Sequence, residues 1–186
     1  MPSEEPVLPD TIEPGVVTLL CGSAAGAVSA RLGLPYAGPG NKFWPILAEA
    51  GLTPRRLSPA EFGELPRHGL GLTDINKTEW GADSDLTGGG DDTEALRAKV
   101  ETFRPAILAF TAKRPAQVFL GAAFGVGRVD YGVQEAHLGD TEIHVLPSPS
   151  GLAIRWWDPS FWHALGARHR ERFAERRPHS DRRRRG

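Results

Sequence analysis

Three loops of small residues and a few aspartates are where this sequence could do chemistry. The loops are Gly22-Ser23-Ala24-Ala25-Gly26 with the residues after it, the polar stretch from Asp74 to Asp92, and Pro147-Ser148-Pro149-Ser150-Gly151-Leu152-Ala153-Ile154-Arg155. Small residues let a backbone come close to a ligand, and amides with no strand partner are free to donate hydrogen bonds. Carboxylates bring full negative charge near neutral pH and accept a proton, so they serve as bases or as partners of a developing cation. Asp74 closes an apolar run, and the carboxyl end of a strand is the usual place for a functional side chain in a parallel sheet. Asp91 and Asp92 follow Thr87-Gly88-Gly89-Gly90 at a helix start, where free amides of the first turn keep a carboxylate ionised. Asp92 falls nearer the first turn and ranks ahead of Asp91, with Asp74 as the competitor.

Other chemistries lack their residues. One cysteine, Cys21, is too few for a disulfide framework, an iron-sulfur cluster or a zinc knuckle. Six histidines without HExxH-like spacing support no metal site, and no cofactor is expected. The first loop is neither GxGxxG nor a P-loop, and Ser23 is not the centre of a GxSxG elbow. The start, MPSEEPVLPD, is acidic and proline-rich where a signal peptide is basic and apolar, and no run is long enough for a membrane span. A cytoplasmic protein is expected, nucleoid-associated in a bacterium, monomeric and with no membrane partner.

The elements that must hold these residues alternate between strand and helix. Val16–Gly22 is a short apolar, β-branched run that reads as a buried parallel strand, Gly69–Ile75 as a second, Pro105–Ala112 as a third and Thr141–Val145 as a fourth. Asn41 caps a helix that carries Phe43, Ile46 and Leu47 and stops at Gly51; a helix begins near Asp92, a short one covers Lys113–Leu120, and Asp158-Pro159 opens the last. Gly125–Gly139 reads as a loop or hairpin. The alternation implies an α/β fold, a parallel sheet covered on both faces. With 186 residues, one domain over 15–175 is expected, between a flexible acidic N-terminus (1–14) and a basic disordered tail (176–186). Net charge is −1, but Arg168, Arg170, Arg172, Arg176, Arg177 and Arg182–Arg185 crowd the end. They read as a solvated helix and tail, or as added phosphate affinity.

Four fragments in order now stand out: Cys21-Gly22-Ser23-Ala24-Ala25-Gly26, Leu34-Pro35-Tyr36-Ala37-Gly38-Pro39-Gly40-Asn41-Lys42-Phe43-Trp44, Gly71-Leu72-Thr73-Asp74, and Leu146-Pro147-Ser148-Pro149-Ser150-Gly151-Leu152. Together they resemble the mismatch-specific uracil/thymine DNA glycosylases of the uracil-DNA glycosylase superfamily, over roughly Val16–Ala174. The resemblance implies a three-layer αβα sandwich with a short, mainly parallel sheet. It also implies a monofunctional DNA repair enzyme that flips a base from the duplex and hydrolyses its bond to the sugar. Its partner would be DNA containing uracil or mismatched pyrimidines. Gly22, Ser23, Ala24, Tyr36 and Asn41 then fall in the base-binding region, Tyr36 as the stacking aromatic. Ser148, Ser150, Gly151, Leu152, Ala153 and Arg155 fall in the loop that wedges into the base stack and meets the DNA backbone.

Two positions depart from the pattern. Ala24 stands where these glycosylases carry an asparagine that positions water, and Ser148 replaces the asparagine of the wedge motif. A methyl group cannot hold water, so an aspartate must take over, Asp92 first; Asp92→Ala is then expected to abolish excision. Ala24 and Ala25 leave room at the pyrimidine 5-position, which implies tolerance of thymine or modified pyrimidines. Two other readings stand beside this one: a weak or inactive relative that binds damaged DNA without cutting it, and an α/β nucleotide-binding or hydrolase domain unrelated to DNA.

Overall fold

The first apolar run becomes β1 (Thr18–Gly22), in which every residue is buried, as expected of a strand with layers on both sides. The structure, a computed structural model, describes residues 5–176. β1 is an interior strand of a five-stranded sheet with β2 (Leu70–Asp74), β3 (Ile107–Phe110), β4 (Gly132–Leu138) and β5 (Thr141–Val145), in the order β2-β1-β3-β5-β4. β1 pairs in parallel with β2 and β3, and β3 with β5; β4 is antiparallel on the edge. It forms a hairpin with β5 across Gly139, whose φ of 61° is in the left-handed region.

Strand alternation divides the core. Leu20, Ile107 and Ala109 meet α2 (Phe43–Glu49) and α5 (Ser160–Arg176) through Phe43, Leu47, Trp162 and Leu165. Leu19, Cys21, Leu108, Phe110, Ile143 and Val145 meet α3 (Thr93–Phe103) and α4 (Lys113–Phe124) through Leu96, Val100, Phe119 and Leu120. The result is the three-layer αβα sandwich expected. Phe43, Phe110, Phe119 and Trp162 are fully buried, each contributing about 1.5–3 kcal/mol of transfer free energy. Gly166 lets α5 cross close over the end of α2, because a side chain there would collide with the Ala50 carbonyl. None of the described helices is long and apolar enough to cross a membrane.

The N-terminal segment differs from the flexible start expected. Thr11 exchanges two hydrogen bonds with Leu72 on the outer edge of β2, at 3.0 and 2.8 Å, and Leu8 is buried. Unpaired edge amides of β2 and an apolar crevice give this segment something to pair with, which its acidic, proline-rich composition conceals. The basic end differs too. Arg170 donates to the Ala50 carbonyl and Arg176 to those of Val16 and Arg104. Arg168 pairs with Glu142 and Glu171, and Arg172 with Glu142 and Glu175. Val16, Arg104 and Glu142 lie at the amino edge of the sheet, opposite the strand ends where a ligand would sit, so these four arginines clamp α5 in place. The expected tail lies outside the described residues beyond Arg176.

Candidate active site

The carboxyl ends of β1, β2 and β3 converge at Gly22. A methyl group built on Gly22 would lie 2.6 Å from Asp74 Oδ1, 3.1 Å from Tyr36 Oη and 3.5 Å from Thr111 Oγ1, so three oxygens from three separate elements surround one point of backbone. The parallel register sets Gly22 directly opposite Asp74, and Thr111 follows the last residue of β3. Tyr36 comes from the loop after α1 (Ala27–Leu32) and has a φ of 51°, unusual for a residue with a Cβ. Its ring is stacked on Phe43, with centroids 3.7 Å apart and planes 8° from parallel, and its hydroxyl is 3.1 Å from Thr111 Oγ1.

Hydrogen bonds knit the loops around that point. Ile75 N donates to the Gly22 carbonyl at 3.0 Å, Asn76 N to that of Ser23 at 2.9 Å and Gly81 N to that of Ala25 at 2.9 Å. The first loop is thereby bound to the loop after β2 along its length. Ser23 is buried, and its hydroxyl makes no hydrogen bond among the described residues. Ala24, half-buried, offers only its methyl. Asn41 Oδ1 accepts from Phe43 N at 2.9 Å one residue ahead of the N-cap of α2, which is Lys42 and not Asn41 as expected.

The three expected aspartates have different surroundings. Asp74 is half-buried; withdrawal from water raises its carboxyl above the ordinary range, and Lys77, with Nζ 3.8 Å from Oδ2, offsets part of that rise. The same withdrawal from water, reinforced by the Asp74 charge, pushes the Cys21 thiol and the Tyr36 hydroxyl up, so both keep their protons at neutral pH. Asp91 is held by both nitrogens of the Arg114 guanidinium, the shortest contact 2.8 Å, and by Asn76 Nδ2 at 3.2 Å. Asp92 is exposed and accepts from Ala95 N at 2.8 Å as the N-cap of α3. Asp74 therefore stands at the convergence, while Asp91 and Asp92 hold the loop and helix behind it.

The polar stretch between β2 and α3 is organised by Glu79, which accepts from Asn76, from the amide and hydroxyl of Thr87, and from Gly90 N. Those bonds hold its carboxyl near a pKa of about 2. Trp80, on the same stretch, bridges to Ala25 and is exposed.

The loop after β5 packs against the approach to α2. Lys42 N donates to the Pro149 carbonyl at 2.8 Å, and a methyl group on Gly151 would be 2.8 Å from the Pro39 carbonyl, so the crossing admits glycine and little else. Ser148 Oγ accepts from Ser150 N at 3.3 Å, and Ser150 Oγ from Leu152 N at 3.2 Å. Ala153 N donates to the Ser150 carbonyl and closes a tight turn. The tip presents Leu152, 87% exposed, with Ile154 and Trp156 also exposed and Arg155 stacked over the Trp156 ring.

Residues 9–169 match the model of the uracil DNA glycosylase superfamily. The chain belongs to that superfamily. A solution NMR structure of a candidate uracil DNA glycosylase from Methanosarcina acetivorans has the same fold, with a TM-score of 0.64. It is 21% identical, and the alignment covers 90% of this chain and 98% of that one. Four residues not singled out as site residues by sequence stand with those that were: Thr111, Phe43 as the support of Tyr36, Lys77 beside Asp74, and Asp10, whose Oδ1 accepts from Lys77 Nζ at 2.9 Å. Thr111 carried a readable signal, a polar residue directly after a buried strand. Asp10 carried none, because its partners are far away in the chain.

Proposed function

We propose that this protein excises uracil from DNA by extruding the nucleotide and hydrolysing its N-glycosidic bond, with Asp74 as the catalytic carboxylate. The observation that supports this most is the placement of Asp74 against Gly22, Tyr36 and Thr111, in a site whose loop position for a water-holding asparagine is Ala24. Phe43 covers one face of the Tyr36 ring, so a flipped base stacks on the other. Backbone amides of the loop that follows Gly22 are the donors available for the edge of the base.

Cleavage sends the bonding electrons of the C1′–N1 bond onto the base and leaves positive charge on the sugar. Loop amides stabilise the departing uracil anion. The Asp74 carboxylate faces the cation and takes a proton from the water whose oxygen bonds to C1′, giving free base and an abasic sugar. Asp74 must be ionised for this. Desolvation opposes ionisation, and Lys77 offsets part of that opposition. Asp91 and Asp92, the first of them ion-paired and the second capping, have tasks that a catalytic base would have to abandon.

The loop carrying Leu152 supplies the wedge, filling the gap in the stack and offsetting the few kcal/mol that unstacking costs. The two serines do the bracing done by asparagine in the mismatch-specific branch, to which we assign the chain on its four motifs. Alanines at 24 and 25 favour tolerance of thymine or modified pyrimidines in mismatches.

The test is single-turnover excision from a uracil-containing oligonucleotide, read as alkali-sensitive strand scission. Wild type is expected to cleave and Asp74→Asn to lose about 10²–10⁴-fold with its fold intact. No scission by wild type would favour the DNA-binding relative, and undiminished excision by Asp74→Asn would remove that residue from the mechanism.

A further inference from the structure

Asp10 lies in a segment that precedes the sheet, yet its carboxylate reaches the wall of the site. Oδ1 accepts from Thr73 Oγ1 at 2.7 Å and from Lys77 Nζ at 2.9 Å; Oδ2 accepts from Lys99 Nζ at 2.7 Å. Lys99 also donates to Thr73 Oγ1 at 3.1 Å. Lys77 is held twice, since its backbone carbonyl accepts from Val7 N at 2.8 Å. Its ammonium thus sits between two carboxylates, bonded to Asp10 and left 3.8 Å from Asp74, beyond hydrogen-bond range. Leu8, Pro9 and Thr11 of the same segment join Tyr36, Phe62 and Asp74 around a crevice of about 20 Å³, room for one water.

We infer that Asp10 and Lys77 are positioning residues: Asp10 draws the Lys77 ammonium away from Asp74, leaving the Asp74 carboxylate charged but with no hydrogen bond from the ammonium. The inference rests on Asp74 being the catalytic carboxylate. Without Asp10, Lys77 closes on Asp74 and occupies the oxygens that must face sugar and water. Without Lys77, a desolvated carboxylate keeps its proton to higher pH. Burial of Asp10 alone would raise its carboxyl, but hydrogen bonds from Lys99, Lys77 and Thr73 outweigh this and hold it below the usual range. It stays charged while Asp74 titrates. The other groups about Asp74 are the Cys21 thiol on β1, the Tyr36 and Thr111 hydroxyls and, farther off on α3, Lys99. The thiol and the two hydroxyls are neutral across the acidic range, so the Asp10–Lys77 pair sets the difference.

The experiment is the pH profile of single-turnover excision for full-length wild type, Lys77→Met, Lys77→Arg and Asp10→Asn, alongside the ¹³C shift of the Asp74 carboxyl followed by NMR. Lys77→Met is expected to move the acidic limb and the Asp74 titration up by about one pH unit or more. Lys77→Arg restores both toward wild type. Asp10→Asn moves both down and lowers the plateau rate. Coincident profiles and titrations in all four proteins would overturn the inference, while loss of excision by Asp74→Asn would still support the proposed function. Full activity of Asp74→Asn would instead sink the function reading and this one with it. If Asp10→Asn fails to fold, the Lys77→Met and Lys77→Arg pair decides.

Discussion

Leu152 gives the sharpest test of how the protein would handle duplex DNA. Its side chain is 87% exposed, so truncation to alanine leaves almost no cavity in the free protein. Folding stability is expected to change by less than about 0.5 kcal/mol, as for a surface substitution. In the extruded complex the same side chain would be buried between base pairs. Leu152→Ala removes three carbons, and at about 0.8 kcal/mol per buried methylene the complex loses about 2.4 kcal/mol, or about 60-fold in the population of extruded nucleotide. The assay is single-turnover excision at saturating enzyme on one uracil-containing oligonucleotide, used as a duplex and as a single strand. The duplex rate should fall by that factor and the single-strand rate by little, because an unpaired strand has no stack to refill. A duplex rate within twofold of wild type, or an equal loss on both substrates, would refute the wedge.

Three further outcomes follow from the geometry. Asp92→Ala should cost about 1 kcal/mol through loss of the α3 cap and leave excision near wild type, checked by urea denaturation and the scission assay. Gly22→Ala puts a methyl 2.6 Å from Asp74 Oδ1 and displaces that carboxylate, so excision should fall about 10²-fold in a folded protein. His169 accepts from the Thr18 hydroxyl at Nδ1 and donates from Nε2 to the His68 carbonyl, and burial lowers its pKa from 6.5 to about 4. Because the unfolded chain binds that proton more readily, stability is full above about pH 6.5 and falls toward pH 4, by up to about 3 kcal/mol. His169→Gln should flatten that slope in thermal melts across the window.

Local pattern carried the architecture further than it carried the site. β1, β2, β3 and β5 were legible because their apolar runs are short and bounded by glycine or proline, and Asp92 was legible as a helix start because capping is a contact within three residues. The ordering of the aspartates was not legible. Whether a carboxylate faces a ligand or an arginine depends on partners such as Arg114, 23 residues from Asp91. The N-terminal segment is the extreme case. Asp10 and Thr73 are 63 residues apart, and a proline-rich acidic stretch looks solvated until a sheet edge and two lysines are placed beside it. Ser148 and Ser150 make the complementary point, since a chain of two hydroxyl contacts braces a turn where the family resemblance called for one amide.

The strap formed by Val7 to Ile12 has a bearing on how the site can be adjusted. It docks on the outer edge of β2 through Thr11 and Leu72, and through Asp10 it holds Lys77 and Lys99. Trimming those residues would uncover the outer edge of β2 and take Asp10 from beside Lys77, so a cut at the front end would change the charge that faces Asp74.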